Sequence, residues 1–462
     1  ETEVIAEIRE IGVQKVKSKK GESTEALIEK YGKNPHVAYA EPNGFFYIHL
    51  TPNDPRFTEL WGLHNIGQTI TKPVGAPADN FAISFSGTSD ADIDALEAWN
   101  RQTGSPGIIV ADIDTGVDYN HEDLAANIWT NPGELAGNGI DDDGNGYIDD
   151  VHGWDFANND NDPMDDNMHG THTSGTIAAV GNNGIGVVGV AWQAKIMAVK
   201  FITEYGGGTW ENAAKAILYA SQMGAKISNN SWGCTGDRRP GYSRTLEDAI
   251  KAASQRGMLF VVSAGNANND NDGSTISYPC SASSPNVLCV AATDYNDQKA
   301  DFSSYGKYTV DLGAPGVDVL STIPNSIEPW RGGYRFASGT SMASPHVSGA
   351  AALALSRFPS LTVDQLKGLL MNSVDKIPAM DGITVTGGRL NVNNVLGTNF
   401  NVIAAPYNQR ITIGSSTAYT ITVASANNFS APVALTLASP DTGITGSFSA
   451  TPVTPPLNGT VS

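Results

Sequence analysis

Three short segments of the chain combine a chemically reactive residue with small neighbours: Asp114 in ADIDTGVD, His169 in HGTHTSGT and Ser341 in GTSMASPHV. A serine hydroxyl is a poor nucleophile at its own pKa, and it attacks only when an adjacent base takes its proton. A histidine supplies such a base, and a carboxylate fixes its tautomer and stabilises its protonated form. These residue types therefore indicate nucleophilic catalysis by Ser341, with His169 as base and Asp114 as its partner.

The elements predicted around these residues favour the same interpretation. Asp114 ends the apolar run IIVADID, which predicts a buried strand, and catalytic groups gather at the carboxyl ends of strands in open α/β sheets. His169 and Ser341 stand where helices are predicted to begin, and the N–H groups of a helix start favour a developing negative charge. Each segment alone is weak evidence for catalysis. A serine before a helix, for example, is usually an N-cap. We expect the nearby His172 to be structural.

The three segments occur in the order Asp, His, Ser and together resemble the signature blocks of the subtilase (subtilisin-like serine protease) family, in particular its thermitase-like members. The resemblance extends from about residue 51 to residue 394. It implies a serine endopeptidase whose triad is Asp114, His169 and Ser341. It also implies that Asn266, which ends MLFVVSAGN, forms an oxyanion hole with the backbone N–H of Ser341.

The same resemblance places the substrate cleft. It implies that two segments border an extended substrate backbone and that Ser277 lies at the base of the primary pocket. The small neutral lining predicts a broad preference for apolar or aromatic side chains before the cut. Asp237 leaves an alternative open, because acidic residues soon after this motif select basic substrates in kexin-like processing proteases. The two bordering segments are Ser231, Trp232 and Gly233, and Gly206, Gly207 and Gly208.

Calcium is the cofactor that the acidic segments indicate, against the alternative of merely solvated loops. In IDDDGNGYIDD, oxygen ligands recur at the spacing of an EF-hand-like loop around the sharp turn at Gly146. His152 stands where a bidentate glutamate would close the shell, so Asp150 or a remote group must complete it. The candidate ligands of this first site are Asp141, Asp143, Asn145, the Tyr147 carbonyl and Asp149.

Two further calcium sites are implied by the resemblance. WDFANNDNDPMDD is similar to a calcium loop of thermitase-like members and leads directly to His169. The other site, shared by many family members, joins three separate segments. The candidates are Asp155, Asn158, Asp160 and Asp162 in the former, and Asp54, Asp123, the Asn183 side chain and the carbonyls of Val180, Ile185 and Val187 in the latter.

Alternating apolar runs and helical periods from about residue 107 to 396 predict an α/β fold. The resemblance makes it a three-layer, subtilisin-like fold with a mostly parallel sheet over residues 51–397. Residues 1–50 suggest a small α+β unit with a helix in STEALIEKYGKN and a strand in HVAYAEPN. They resemble part of an inhibitory propeptide with its linker, against the alternative of a small domain that stays attached. Residues 398–462 indicate a β-sandwich that stops partway.

Composition limits the partners. The 462 residues carry a formal net charge of -20, which argues against binding to nucleic acid or to an anionic membrane. No apolar run approaches the roughly 20 residues of a membrane-spanning helix. We expect protein or peptide substrates, inhibition by the chain's own propeptide, and a monomer. The alternative from another functional class is a catalytically silent surface or adhesion protein, which keeps the fold and binds through its β-rich C-terminal segment.

Three cysteines occur, and Cys280 and Cys289 lie close together in YPCSASSPNVLC. One disulfide between them fits an oxidising compartment, whereas two buried free thiols are the alternative. We expect the disulfide, with Cys234 free. No signal peptide is visible at the first residues, ETEVIAEIRE, which resemble the middle of a domain. The expected extracellular location therefore depends on the disulfide.

Overall fold

The structure is a computed structural model that describes residues 2–43, 50–74, 81–235, 242–397, 400–405, 411–425, 432–437, 445–455 and 460–461. The chain divides into two compact units, residues 1–49 and residues 50–462. In the first unit, strands β1 (Thr2–Ile8) and β2 (Val13–Ser18) pair antiparallel. Helix α1 (Thr24–Gly32) follows, capped by the Ser23 side chain, which accepts from Ala26 N–H.

The sequence predicted that helix, and its prediction is confirmed. The strand predicted over residues 36–43 is wrong, because no described backbone pairs with this segment and it remains without regular structure.

The second unit contains the strands and helices that build the site. Its strands are β3 (Thr69–Val74), β4 (Phe81–Ser86), β5 (Ile109–Asp114), β6 (Gly153–Asp155), β7 (Lys195–Lys200), β8 (Ile227–Asn230), β9 (Cys234–Thr235), β10 (Leu259–Ser263), β11 (Ser277–Tyr278), β12 (Val287–Thr293), β13 (Leu312–Pro315), β14 (Val319–Thr322), β15 (Tyr334–Ala337), β16 (Asp375–Lys376), β17 (Gly388–Arg389), β18 (Phe400–Ala405), β19 (Thr420–Ser425) and β20 (Thr460–Val461). Its helices are α2 (Ala95–Trp99), α3 (His169–Ala178), α4 (Trp210–Gln222), α5 (Arg244–Gln255), α6 (Thr340–Arg357), α7 (Val363–Asn372) and α8 (Val392–Gly397).

Among the described residues, nine strands form one sheet in the order β16-β17-β13-β12-β10-β8-β5-β7-β6. All neighbours pair parallel except β16 and β17. Parallel strands are buried on both faces, which accounts for the continuous apolar runs in the sequence.

Successive residues of a strand point to opposite faces, and the two faces of this sheet have separate cores. On β10, Leu259 and Val261 join the core that includes α3 and α6, whereas Phe260 and Val262 join the core that includes α4 and α5. The fold is therefore a three-layer α/β/α arrangement, and the predicted fold class is confirmed.

The remaining strands form small sheets at the periphery. β3 with β4, β9 with β11 and β14 with β15 make antiparallel pairs, and β18, β19 and β20 form an antiparallel sheet of three strands. The last of these lies where the sequence indicates a β-rich segment. No helix in the described ranges is long and apolar enough to span a bilayer.

Candidate active site

Asp114 is the last residue of β5, and its side chain is fully buried. Its Oδ1 accepts hydrogen bonds from the Thr115 N–H and from His169 Nδ1, each at 2.7 Å. Its Oδ2 is buried without a partner in the described part of the chain. A carboxylate in this position holds the proton of the imidazole on Nδ1, which leaves Nε2 available as a base.

His169 is the first residue of α3, and Asp165 fixes the turn that leads to it. Asp165 Oδ1 accepts from Thr115 Oγ1 at 2.9 Å and from Met168 N–H at 3.0 Å, while Oδ2 accepts from the N–H and hydroxyl of Thr171. These bonds join Asp165 to the residue after β5, to the residue before the helix and to the first turn of the helix. Asp165 was not among the predicted site residues, because it lies four residues before the helix and no capping pattern includes it.

The pKa of His169 is set by opposing effects. Burial lowers it, but attraction by Asp114, the hydrogen bond to Asp114, and the charges of Asp112 and Asp165 outweigh burial and raise the pKa to about 9. His172 behaves in the opposite way, because burial lowers its pKa to about 3 while its Nε2 bonds to the Arg335 carbonyl. The structure therefore places His172 in the packed interior, where the sequence expects it.

Ser341 is the second residue of α6 and lies at the same edge of the sheet. Its hydroxyl donates to the Ser231 carbonyl at 2.8 Å, and the Ser231 hydroxyl donates to the Ser341 carbonyl at 2.9 Å. This reciprocal pair ties Ser341 to the segment after β8. The Ser341 hydroxyl must leave the Ser231 carbonyl before it can bond to His169.

Asn266 follows β10 and faces the start of α6. Its Oδ1 accepts from the N–H and hydroxyl of Thr340 at 2.9 and 2.8 Å, which turns Nδ2 the other way. A methyl group built on Gly339 would lie 3.4 Å from Asn266 Nδ2 and 3.6 Å from Ser341 N. Both donors therefore lie around one small space beside Gly339, as an oxyanion hole requires.

A cleft of about 340 Å³ joins these groups to the predicted substrate-binding segments. Ser277 lines it and is buried, and its hydroxyl has no partner among the described residues. Trp232 also lines it and is held by a 2.7 Å bond from Nε1 to the Ile113 carbonyl. The lining residues are Thr115, Asn167, His169, Ile202, Gly206, Ser231, Trp232, Gly233, Cys234, Ser263, Gly265, Asn266, Ser277, Tyr278, Thr340 and Ser341.

The opposing glycine segment is only partly in the cleft. Gly206 lines it, whereas the Gly207 carbonyl closes a turn with Thr203 N–H, and a Cβ on Gly208 would lie 2.7 Å from the ring of Phe201. Asp237, the residue that left a basic preference open, lies outside the described residues.

Cys280 and Cys289 form a disulfide, as predicted, and Cys234 is free. Cys234 lies in the wall of the cleft, directly after Gly233. Burial raises the pKa of its thiol, which disfavours the reactive thiolate.

Asp54, Asp123 and the loop of residues 180–187 come together as one candidate calcium site. Asp123 Oδ1 accepts from Asn183 Nδ2 and Oδ2 from Val187 N–H, both at 2.8 Å, and Asp54 accepts from Asn182 N–H at 2.7 Å. Burial raises the pKa of Asp54, and it raises that of Asp123 to about 6. Neither carboxylate pairs with a basic side chain in the described ranges, so the donor set fits a hard cation.

In the EF-hand-like loop, Glu134 completes a cluster that the sequence analysis left unfinished. Ligand oxygens of Glu134, Asp141 and Asp143 lie within 4.8 Å of one another, the one such group of acidic side chains in the described residues. Glu134 is therefore a candidate for the remote group that the missing twelfth position requires. Asn145 Nδ2 donates to Asp143 at 3.1 Å.

One member of this loop, Asp149, has backbone partners that the loop pattern did not indicate. Asp149 Oδ1 accepts from the Gly137 N–H at 2.8 Å and Oδ2 from the Gly139 N–H at 2.9 Å, because a tight turn brings these N–H groups to it. Its carboxylate thus binds backbone instead of joining the cluster. The Tyr147 ring packs on Tyr219, which leaves only its carbonyl as a ligand, as the loop pattern requires.

The predicted loop before His169 is held by its own hydrogen bonds. Asp155 is buried, and it accepts from Asn158 Nδ2 at 2.9 Å, while its main chain pairs with that of Asp160. Asp162 accepts instead from the Tyr119 hydroxyl at 2.8 Å. These four residues border one loop without forming a carboxylate cluster.

Comparison with known proteins adds independent observations. A profile of the subtilase family matches residues 105–398, and one described as the fervidolysin N-terminal prodomain matches residues 1–43. The thermophilic serine proteinase of Bacillus sp. strain AK1 is 36% identical over 375 residues, which are 81% of this chain and 76% of that protein. Thermitase of Thermoactinomyces vulgaris is 38% identical over 299 residues, which are 65% and 91% of the two chains.

Among solved structures, a protease from Pseudoalteromonas arctica PAMC 21717 superposes with a TM-score of 0.57 at 28% identity, over 75% of this chain and 99% of that one. The profile match, the two relatives and this superposition agree with one another and with the order of the three sequence segments. The chain therefore belongs to the subtilase family and is a subtilisin-like serine endopeptidase with a fervidolysin-like prodomain at its N-terminus.

Proposed function

We propose that the chain is a secreted serine endopeptidase that is stabilised by calcium and made as a zymogen that processes itself. The observation that supports the catalytic part best is the 2.7 Å bond between His169 Nδ1 and Asp114 Oδ1, beside a cleft that Ser341 and Asn266 also line. Secretion is supported by the Cys280–Cys289 disulfide, because disulfides persist mainly in oxidising compartments.

In the proposed reaction, Ser341 Oγ attacks the carbonyl carbon of the scissile peptide while His169 Nε2 takes the hydroxyl proton. That proton then passes to the amine nitrogen, the C–N bond breaks, and an acyl ester remains on Ser341. Water attacks the ester with His169 again as base, which releases the carboxylic acid and restores the hydroxyl. Asp114 stays ionised throughout and stabilises the imidazolium.

The tetrahedral intermediate carries its negative charge on the former carbonyl oxygen. Asn266 Nδ2 and the Ser341 N–H are the proposed donors, and the Thr340 contacts of Asn266 Oδ1 keep the amide in that orientation. Donors that are fixed before the reaction stabilise the charge without reorganisation.

For the substrate, we propose that Ser231–Gly233 and Gly206–Gly208 pair with an extended backbone, as in strand addition. The pocket beneath holds the side chain before the cut, with Ser277 at its base. Its neutral lining supports a preference for apolar or aromatic side chains, and it contains no acidic side chain among the described lining residues.

Calcium is proposed at two places where the donor set fits. Asp54, Asp123, Asn183 and the carbonyls of residues 180, 185 and 187 would hold one ion, and Glu134, Asp141 and Asp143 with Asn145 and the Tyr147 carbonyl would hold another. A bound cation supplies the positive charge that these carboxylates lack, and it stabilises the native state by linkage. The loop Asp155–Asp162 is a third candidate.

We propose boundaries at residues 1–50 for the propeptide and linker, 51–397 for the peptidase domain, and 398–462 for a β-rich domain. The prodomain match over residues 1–43 supports the first of these. Self-cleavage between Asn43 and Pro52 would release the propeptide, and this window contains residues that the structure does not describe.

The catalytic proposal is tested with Ser341→Ala and His169→Ala on casein, beside inactivation by a serine-directed fluorophosphonate. Each variant should lose nearly all proteolysis with an unchanged circular dichroism spectrum, because the triad acts as a unit. Retention of a tenth of the activity by Ser341→Ala would refute the assignment of the nucleophile.

Self-processing is tested by expressing the chain in active and Ser341→Ala forms and sequencing the N-terminus of each product. The active form should be cut between Asn43 and Pro52, and the Ser341→Ala form should remain intact. Cleavage of both forms at the same bond, in a host that lacks other proteases, would contradict self-processing.

A further inference from the structure

A second buried carboxylate lies behind the triad. Asp112 stands two residues before Asp114 on β5, so both side chains point to the same face of the sheet. Val110, on the same alternation, packs in the core that contains α3 and α6. Asp112 is fully buried on that face, and the catalytic mechanism given above does not use it.

Three donors from two other elements converge on Asp112. Thr173 Oγ1 and Ser174 Oγ, both on α3, donate to its Oδ2 at 2.7 and 2.6 Å. Asn229 Nδ2, on β8, donates to its Oδ1 at 2.9 Å. All three donors are fully buried, and no ion pair involves Asp112 within the described ranges. The carboxylate therefore joins β5 to the helix that begins with His169.

The network continues to the nucleophile. Asn229 Nδ2 also donates to Ser231 Oγ at 3.0 Å, and Ser231 Oγ donates to the Ser341 carbonyl at 2.9 Å. On the other side, Ser348 Oγ of α6 donates to Asn229 Oδ1 at 3.0 Å. A continuous chain of hydrogen bonds thus runs from Asp112 to the backbone of Ser341.

We propose that Asp112 is a positioning residue of the active site, which fixes the helix of His169 and the segment of Ser341 relative to the strand of Asp114 and adds a second negative charge behind His169. The inference rests on the proposed roles of Asp114, His169 and Ser341, and it assigns to this chain a fourth polar residue on which their arrangement depends.

Stability alone does not account for this carboxylate. A buried charge without a cation carries a desolvation cost that hydrogen bonds offset only in part, and apolar residues of similar volume are often equally stable or better. A buried ionisable group with specific partners beside a cleft is, in contrast, a common feature of functional sites. Asp112 lies two residues before Asp114 on the same face of β5, and this position agrees with the second interpretation.

The electrostatic part follows from the groups around His169. Burial and then the charge of Asp114 raise the pKa of Asp112 to about 7, against the three hydrogen bonds. Once ionised, it favours the imidazolium form of His169. The titratable and charged groups that face His169 or its helix are Asp112 and Asp114 of β5, Asp165 of the preceding loop, His172 of α3, and Arg335 of β15.

The test is Asp112→Asn, which keeps the shape and removes the charge. Because His169 must be neutral to act as base, a lower pKa of His169 moves the acid limb of the kcat/KM profile to lower pH. We expect that shift, together with a severalfold lower kcat and an unchanged KM, since Asp112 does not line the cleft. The His169 Nδ1 proton, followed by NMR in a Ser341→Ala background, should titrate at the same lower pH.

Asp92→Asn is the matched control. Asp92 is also buried, and burial also raises its pKa to about 7, but among the described residues it bonds only to the backbone N–H groups of Asn65 and Asp94. This variant should leave the midpoint of the profile in place. A profile of Asp112→Asn that superposes on the unsubstituted enzyme would overturn the proposal, and so would lower activity with an unshifted midpoint, which indicates packing alone.

If Asp112→Asn fails to fold, the combination Asp112→Val, Thr173→Val and Ser174→Ala replaces the polar group and both α3 donors by apolar groups of similar shape. Two of the three partners of Asp112 are thereby replaced, and Asn229 Nδ2 keeps its bond to Ser231 Oγ, so this variant should fold and show the same shift. Fluorophosphonate labelling of Ser341 separates the two proposals. Without labelling, the proposed function fails, whereas labelling with an unshifted profile removes only the role of Asp112.

Discussion

Glu134→Gln is the sharpest test of the calcium assignment, because the sequence pattern did not include this residue. Glu134 is 9% exposed, and its carboxylate contacts the backbone of the EF-hand-like loop. Oε1 accepts from the N–H groups of Asp142 and Asp143 at 3.0 and 3.2 Å, and Oε2 accepts from Asp149 N–H at 3.1 Å. The substitution keeps the shape but removes one charge and one oxygen ligand.

The change in electrostatic repulsion that this substitution causes follows from the separation of the three carboxylates, whose ligand oxygens lie within 4.8 Å of one another. Two unit charges at that distance repel by about 0.9 kcal/mol in water and about 3.5 kcal/mol at an effective dielectric constant of 20. Because Asp141 is partly exposed and Asp143 is exposed, every pair includes a carboxylate in contact with solvent, so the lower value applies and three pairs sum to about 3 kcal/mol. Removing one charge relieves two pairs, or about 2 kcal/mol, which offsets the weakened hydrogen bonds of about 1.5–3 kcal/mol.

In chelator, the free energy of unfolding of the variant should therefore lie within about 1 kcal/mol of that of the parent. In calcium the two should separate, since an ion at a hundred times its Kd stabilises the native state by about 2.7 kcal/mol. The assay is calcium titration calorimetry and denaturant unfolding of the metal-stripped protein, both in a Ser341→Ala background that prevents self-digestion. The stoichiometry should fall by one ion.

Glu211→Gln serves as the control, because Glu211 is exposed and its only ion pair in the described residues is with Lys215 on the same helix. An exposed pair of this kind contributes little to stability. Equal stoichiometry and an equal calcium-dependent gain for Glu134→Gln and Glu211→Gln would refute the reasoning.

Four further outcomes are expected. Asn266→Leu should lower kcat on the order of 10²–10³-fold, the loss known for the same type of donor in the related subtilisin, and equal kcat would remove Asn266 from the oxyanion hole. Because the pKa of His169 is raised and its neutral form is the base, the acid limit of kcat/KM should lie above pH 6.5, and a midpoint below that value would contradict the electrostatic argument. Burial raises the pKa of Asp123 to about 6, so protons should displace calcium as pH falls through that value, and the calcium-dependent gain in melting temperature should be smaller at pH 5 than at pH 8. Gly170→Ala should prevent folding to an active enzyme, since its Cβ would lie 2.1 Å from the Gly116 carbonyl oxygen, and a normally active variant would show that the helix start can shift.

Much of the fold was predictable because its signals are local. Runs such as MLFVVSAGN indicate buried strands, and a Ser or Thr before a helical period marks the helix starts at α4 and α5, where Thr209 and Ser243 accept the capping bonds. The family and fold class are confirmed. The triad roles stay predictions, although the structure brings Asp114 within 2.7 Å of His169 across 55 residues of sequence.

The departures from the sequence patterns occur where a long-range partner decides the outcome. Asp149 has the correct spacing for a calcium loop, but N–H groups twelve and ten residues earlier occupy its carboxylate. Glu134 lies before the loop pattern begins, and no spacing rule reaches it. The strand predicted at residues 36–43 lacks a described partner. A ligand pattern fixes which oxygens are available, whereas tertiary contacts fix which of them turn inward.

Asp112 is a different case, because the sequence contained the signal and the apolar run concealed it. In IIVADID, a residue at an even distance from Asp114 must share its face, and that face is the one buried under α3 and α6. A carboxylate there cannot be solvated, so donors had to exist on whatever element covers it. Thr173 and Ser174, at adjacent positions just after His169, are those donors. A polar residue inside a predicted buried strand therefore indicates a partner on the covering helix, and in this chain the covering helix begins with His169, the proposed catalytic base.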